Sequence, residues 1–247
     1  MKKPIIGVVP TLTYKKGPSI FDDQFKFVNS YTKKLQESGA TPIGLLMPDG
    51  NLDPEILDMC DGFLIPGGNQ VRLYIYQILY YSIKNDVPIL GICLGAQAMS
   101  IFSALLDKLS KEEILTYEII KEHYDELKKQ NEGTVLRKLP SGHMHYTPNI
   151  TRDNIDDSRH DIRIHKGTLL YDIIGKGNMS VASFHGFDFK FLHSGFIASA
   201  DASDGVKEAI EFNDPSKFIL GVHFHAELEK DNKLFDRLIY ESKKRKR

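Results

Sequence analysis

The chain predicts an α/β fold, a mostly parallel central sheet with helices on both faces, and three features of its 247 residues point there. Short apolar runs alternate with segments of helical apolar spacing through the first hundred residues, the pattern of consecutive strand-helix units. The run Val87-Pro88-Ile89-Leu90 is brief, apolar and entered through a proline, which reads as a buried strand. Two such runs end in glycine-bearing turns, Pro66-Gly67-Gly68 and Gly91-Ile92-Cys93-Leu94-Gly95, and ligands in these sheets gather at the carboxyl ends of strands.

Taken in order, residues 5–9 form the first strand, followed by a polar loop and an apolar-periodic helix over 24–38. Strands over 42–46, 62–65 and 87–91 follow, with helices near 54–59 and 71–84 between them and a further helix over 96–106. Residues 105–138 read as an inserted helix. Ser110-Lys111-Glu112-Glu113 has the form of a capping box, and Ile114, Leu115, Ile119, Ile120 and Leu127 recur at near-helical spacing. Outer packing or a subunit contact is favoured for it over a lid on the pocket. Residues 141–157 are polar and rich in turn formers, a long loop able to reach the site. Shorter strands over 162–165, 179–182, 196–200 and 218–224 and a terminal helix over 229–241 complete a single domain spanning 1–247.

Composition bounds the partners. With 41% hydrophobic and 26% charged residues the chain buries a full core without disulfide staples. A net charge of -1 gives no general field for nucleic acid or membrane, so a small molecule is the expected partner, and a homodimer is allowed. Two cysteines, no leader after Met1-Lys2-Lys3 and no bilayer-length apolar run point to a reduced, cytoplasmic protein. Cys60, just before a buried strand, reads as a packing residue.

Cys93 is the candidate nucleophile. It lies between two glycines where a strand hands over to a helix, as in a nucleophile elbow, and a helix N-terminus favours the thiolate that attacks carbonyl carbon. A lone cysteine in an apolar setting is as well explained by packing, so the assignment needs a base. Gly221-Val222-His223-Phe224-His225-Ala226-Glu227 supplies one: on an extended segment His225 and Glu227 share a face, giving base and orienter together.

These segments together resemble the class I glutamine amidotransferase superfamily and, within it, the gamma-glutamyl-gamma-aminobutyrate hydrolase group, the peptidase C26 family. Asp61-Gly62-Phe63-Leu64-Ile65-Pro66-Gly67-Gly68 is similar to the family's strand and Pro-Gly-Gly loop, Pro88 to Gln97 to its elbow, and Gly221 to Glu227 to its Gly-Val-Gln-Trp-His-Pro-Glu segment. Ser203-Asp204-Gly205-Val206-Lys207-Glu208-Ala209-Ile210 resembles its Asp-Gly-Val-x-Glu-Ala stretch. The resemblance implies a flavodoxin-like class I glutamine amidotransferase fold and a triad of Cys93, His225 and Glu227. It also favours an oxyanion hole from the Gly68 and Leu94 N–H groups over an ordinary strand-ending turn, and substrate contacts from Gly67, Gln97, Ser183, Phe184 and His185. The implied reaction is hydrolysis of a gamma-glutamyl amide through a cysteine thioester, with no cofactor and no metal. An amidotransferase subunit passing ammonia to a synthase, or a non-catalytic module binding a glutamyl metabolite, are the alternatives. Departures fall around the substrate: the family's Asn-Ser-x-His-His-Gln becomes Ala182-Ser183-Phe184-His185-Gly186-Phe187, which removes polar groups from the stretch and alters recognition.

Two rival readings come from the residues alone. His143-Met144-His145 and His223-Phe224-His225, with Glu227 beyond, have spacings that suit zinc, yet a metallohydrolase leaves the Cys93 elbow unexplained. Gly67-Gly68 lacks the spacing and the lysine of a phosphate loop. The basic run 243–247 reads as a solvated, frayed end.

Overall fold

The computed structural model describes residues 2–13, 19, 21, 24–47, 50–68, 71–112, 114–130, 135–193 and 195–245. Glu113 of the expected capping box and the last two residues of the basic run lie outside that set.

In chain order the elements are β1 (Ile5–Val8), a β2–β3 pair (Leu12–Thr13 with Phe25–Lys26), α1 (Asn29–Glu37), β4 (Thr41–Gly44), α2 (Pro54–Met59), β5 (Gly62–Ile65), α3 (Tyr74–Asn85), β6 (Ile89–Ile92) and α4 (Leu94–Leu109). There follow α5 (Tyr117–Gln130), β7 (Leu136–Lys138), β8 (Arg159–Ile164), α6 (Leu169–Ile174), β9 (Asn178–Ala182), β10 (Phe187–Phe189), β11 (Phe196–Ala202), β12 (Lys207–Phe212), β13 (Ile219–Val222) and α7 (Lys233–Lys244). One sheet of nine strands runs β4-β1-β5-β6-β13-β12-β11-β8-β9. It is parallel from β4 to β13 and antiparallel from β13 to β9.

Strands β5, β6 and β13 are buried along their whole length, as sheet strands covered on both faces must be. Alternation sorts their side chains. Leu64, Leu90 and Leu220 pair in register and face one core with Tyr31 and Leu35 of α1 and Phe235 and Leu238 of α7. Phe63, Ile65, Ile89 and Ile219 face the other, against Ile78 and Leu79 of α3 and Met99 and Phe102 of α4. The expected helices on both faces are therefore present, each covering an apolar row.

Four boundaries differ from expectation for local reasons. Ser110 does not start the inserted helix; it ends α4, its N–H bonded to Leu106 O. The helix begins seven residues later, where the Thr116 hydroxyl accepts the Ile119 N–H. Residues 25–26 are strand, so α1 starts at Asn29. After β13 the chain makes a 3-10 turn, Ala226–Leu228, and α7 waits until Lys233. The basic run is also not frayed where described: Lys243 and Lys244 close α7, and Arg245 donates to Cys60 O at 2.9 Å.

Candidate active site

Cys93 sits between β6 and α4 with φ 50° and ψ -102°, a left-handed conformation that a non-glycine residue holds only when its surroundings enforce it. The enforcement is steric. A Cβ on Gly95 would lie 2.3 Å from Ile65 O, so only glycine lets α4 approach β5 this closely. The turn leaves the side chain at the start of α4, whose first N–H groups lack partners within the helix.

The sheet register brings the second residue in. Ile92 pairs with Val222, and the Cys93 N–H donates to Val222 O at 2.7 Å, which holds the end of β13 against the elbow. His225 follows three residues later, its N–H bonded to Ala182 O at 2.8 Å. Its imidazole lies beside the Cys93 side chain, both within 3.4 Å of one point over Gly67, and its Nδ1 lies 2.7 Å from Glu227 Oε1. The strand does not continue to Glu227 as the sequence suggested; the 3-10 turn curls the carboxylate back onto the ring instead. Burial works against the imidazolium, but the Glu227 charge and the neighbouring Cys93 side chain overcome it and raise the His225 pKa to about 10.

Sequence reasoning missed Tyr31. The ring comes from α1, and its hydroxyl accepts the Gly67 N–H at 3.0 Å while lying beside the Glu227 carboxylate. Burial, then the Glu227 charge, holds its pKa well above the usual phenol value. A Cβ on Gly67 would meet Tyr31 Oη at 2.8 Å, His225 Cε1 at 3.1 Å and Cys93 Cβ at 3.4 Å, so Gly67 is the floor on which these groups converge. No motif announced a tyrosine more than thirty residues upstream of the loop it holds.

The remaining expected residues divide. Gly68 is exposed, and a Cβ on it would sit 3.1 Å from Leu94 Cδ2, so Gly68 and Leu94 are neighbours. Gln97 is buried in the first turn of α4, its N–H bonded to Cys93 O. Phe184 lies edge-on to His225, ring centroids 5.3 Å apart. Ser183 and His185 are both buried and turned to other partners, Ser183 Oγ 2.9 Å from His160 Nε2 and His185 Nε2 3.1 Å from Glu208 Oε1. An extended segment alternates its faces, so Phe184 and its two neighbours could not all line one pocket.

The sequence profile of the Peptidase C26 family matches residues 4–77 and 72–227. The chain belongs to the Peptidase C26 family. A glutamine amidotransferase-like protein of Rickettsia prowazekii is 28% identical over 98% of this chain and 99% of its own length. A CTP synthase of Methanosphaera stadtmanae is 30% identical over 88% of this chain, which spans 41% of that protein. Among solved structures, the glutaminase domain of Trypanosoma brucei CTPS with bound acivicin superposes with a TM-score of 0.66 at 18% identity, covering 99% of this chain and 96% of the other. A glutamine amidotransferase from Thermotoga maritima gives 0.59 at 11% identity, covering 98% and 97%. The fold of this C26 chain is that of class I glutamine amidotransferases. No helix among its described residues is long and apolar enough to cross a membrane.

The zinc spacings noted in the sequence do not assemble as pairs. His225 turns to Cys93, whereas His223 stacks on His185 and Phe189 with centroids 4.1 and 4.0 Å apart. Among the described residues, the set able to hold a metal ion is instead His145, His160 and Glu208, all buried.

Proposed function

We propose that the chain is a cysteine-dependent amidase that hydrolyses the gamma-glutamyl amide bond of a small gamma-glutamyl compound. The observation that carries this reading is the Cys93–His225–Glu227 array, a sulfur-bearing side chain at an enforced elbow beside an imidazole whose Nδ1 is held by a carboxylate. In the proposed cycle the Cys93 sulfur attacks the gamma carbonyl, and negative charge builds on the carbonyl oxygen. The N–H groups of Gly68 and Leu94 receive it, each donor worth ~3 kcal/mol. The C–N bond breaks as His225 delivers its proton to the leaving amine, leaving a thioester on Cys93. Water then gives one proton to the same imidazole as its oxygen attacks the thioester, and the C–S bond breaks to release glutamate with the sulfur and His225 back in their starting states. Gly67, Gln97 and Phe184 are the proposed substrate contacts; membership of the Peptidase C26 family supports an amide hydrolase, and the gamma-glutamyl class is what the resemblance of the sequence motifs implies.

The likeness to CTP synthases favours a second reading, in which the substrate is glutamine and the ammonia passes to a synthase partner. One assay separates the two. Glutamate release is measured from a panel of gamma-glutamyl amines, glutamine and a polyglutamate, with Cys93→Ala as control. Turnover of a gamma-glutamyl amine by the chain alone supports the hydrolase; turnover confined to glutamine and stimulated by an added synthase supports the second reading. Glutamate release that survives in Cys93→Ala overturns both.

A further inference from the structure

Inside the antiparallel half of the sheet, side chains from three separate segments converge on one point. His145 precedes β8, His160 lies on β8 and Glu208 lies on β12; all three are buried, His145 and Glu208 with no exposed surface. His145 Nδ1 is 2.8 Å and His160 Nε2 3.5 Å from Glu208 Oε1, and the two ring nitrogens are 3.2 Å apart. Four ligands at about 2.0–2.1 Å from a tetrahedral zinc ion stand roughly 3.3 Å from one another. The triangle therefore has the size of one face of such a site.

The surrounding contacts fix which nitrogen each ring turns inward. His145 Nε2 lies 2.9 Å from Asp204 Oδ2, an outer acceptor for that side of the ring, and Nδ1 faces Glu208 at 2.8 Å, where a proton or, in its place, a metal ion fits. His160 Nδ1 lies 3.3 Å from Asp161 O, an outer acceptor that turns Nε2 toward Glu208 and the Ser183 hydroxyl. Ligating histidines commonly hand their outer N–H to a carboxylate or a backbone carbonyl, and both partners are present here. A buried carboxylate among ring nitrogens needs positive charge beside it, supplied by a proton on an imidazole or by a metal ion in its place. Glu208 Oε2, also buried, has no hydrogen-bond partner among the described residues. His185 Nε2 lies 3.1 Å from the same Glu208 oxygen, and Ser183 Oγ stands 2.9 Å from His160 Nε2, a hydroxyl oxygen beside the triangle.

We propose that His145, His160 and Glu208 bind one zinc ion, the fourth position going to the Ser183 hydroxyl or a water. Two imidazoles and a carboxylate suit Zn2+. The ion would pin the loop before β8 to β8 and β12. Through Ser183 it would also steady the segment whose Phe184 rests against His225. The site is separate from the Cys93 chemistry and needs no step of it.

The full chain, stripped with a chelator and dialysed, is titrated with Co2+ and then Zn2+. The expected result is one equivalent of Co2+ per chain with the visible absorption of a four-coordinate complex, displaced by Zn2+, and a Zn2+-dependent rise in Tm of about 5–10 °C at a hundredfold excess over Kd. Glu208→Gln should weaken Co2+ binding at least tenfold, whereas Cys93→Ala should leave it unchanged. A shared proton in place of a metal predicts less than a tenth of an equivalent bound and no Tm shift, and that result overturns the proposal. Binding lost in Cys93→Ala and kept in Glu208→Gln overturns it as well. Should Glu208→Gln not fold, the stoichiometry, absorption and Tm of the unaltered chain decide.

Discussion

Around Cys93 the chemistry rests on a few atoms, each held by a neighbour whose removal has a measurable effect. The His225 proton is stabilised by Glu227, so its folded pKa, about 10, lies above the ordinary value of 6.5. Protonation therefore stabilises the fold in full below about pH 6.5, and the contribution is lost as pH climbs through about 10. The proposed cycle needs that proton, so kcat/KM should fall on the alkaline side near pH 10, and Glu227→Gln should move that limb at least one unit lower. A pH-rate profile of both proteins reads the difference. Tyr31→Phe removes the acceptor for the Gly67 N–H and should lower stability by about 1 kcal/mol and kcat about tenfold with KM little changed. Denaturant melts with steady-state kinetics check this. Gly95→Ala pushes a methyl into Ile65 O and should cost about 1–3 kcal/mol, read by the same melts, with turnover lost as the elbow opens.

Among the elements, α5 is the one whose role the sequence left open, and its contacts are those of scaffold. Ile120 and Leu127 join the core that contains Leu105 and Leu109 of α4, Tyr124 packs on Tyr76 at 5.9 Å between centroids, and Lys108 pairs with Glu126 at 2.6 Å. Ile120→Ala should therefore destabilise the protein by ~2–5 kcal/mol while leaving kcat within about twofold at a temperature where it stays folded. A large fall in kcat with normal stability would make α5 a lid after all. Legibility followed the physics of each element. Strands β5 and β6 were readable because burial on both faces leaves an apolar run. Strand β12 was not, because Glu208 and Glu211 are buried within it and break the pattern. Each has donors the sequence could not reveal: Glu211 accepts the N–H groups of Leu169 and Leu170 at the start of α6, and Glu208 faces the histidines. Helix α6 itself, six residues long, is too short for apolar spacing to register.

Over the whole molecule, the sheet changes character where the site is built. Five parallel strands present their carboxyl ends beside one another, which sets the Pro66-Gly67-Gly68 turn next to the elbow, and β13 closes that half by delivering His225. Beyond it the antiparallel strands hold the segment containing Phe184 against the imidazole. Cys93, His225 and Glu227 were legible because short motifs carry them, whereas Tyr31 depends on how α1 crosses the parallel half and left no local trace. The same dependence on packing buried Ser183 and His185 against His160 and Glu208. The most direct test of the central claim is mass spectrometry of the protein quenched in acid during turnover of a gamma-glutamyl amide. The account predicts a glutamyl adduct on the peptide containing Cys93, absent from Cys93→Ala. Sustained turnover with no adduct there, or with the adduct on Cys60, would contradict it.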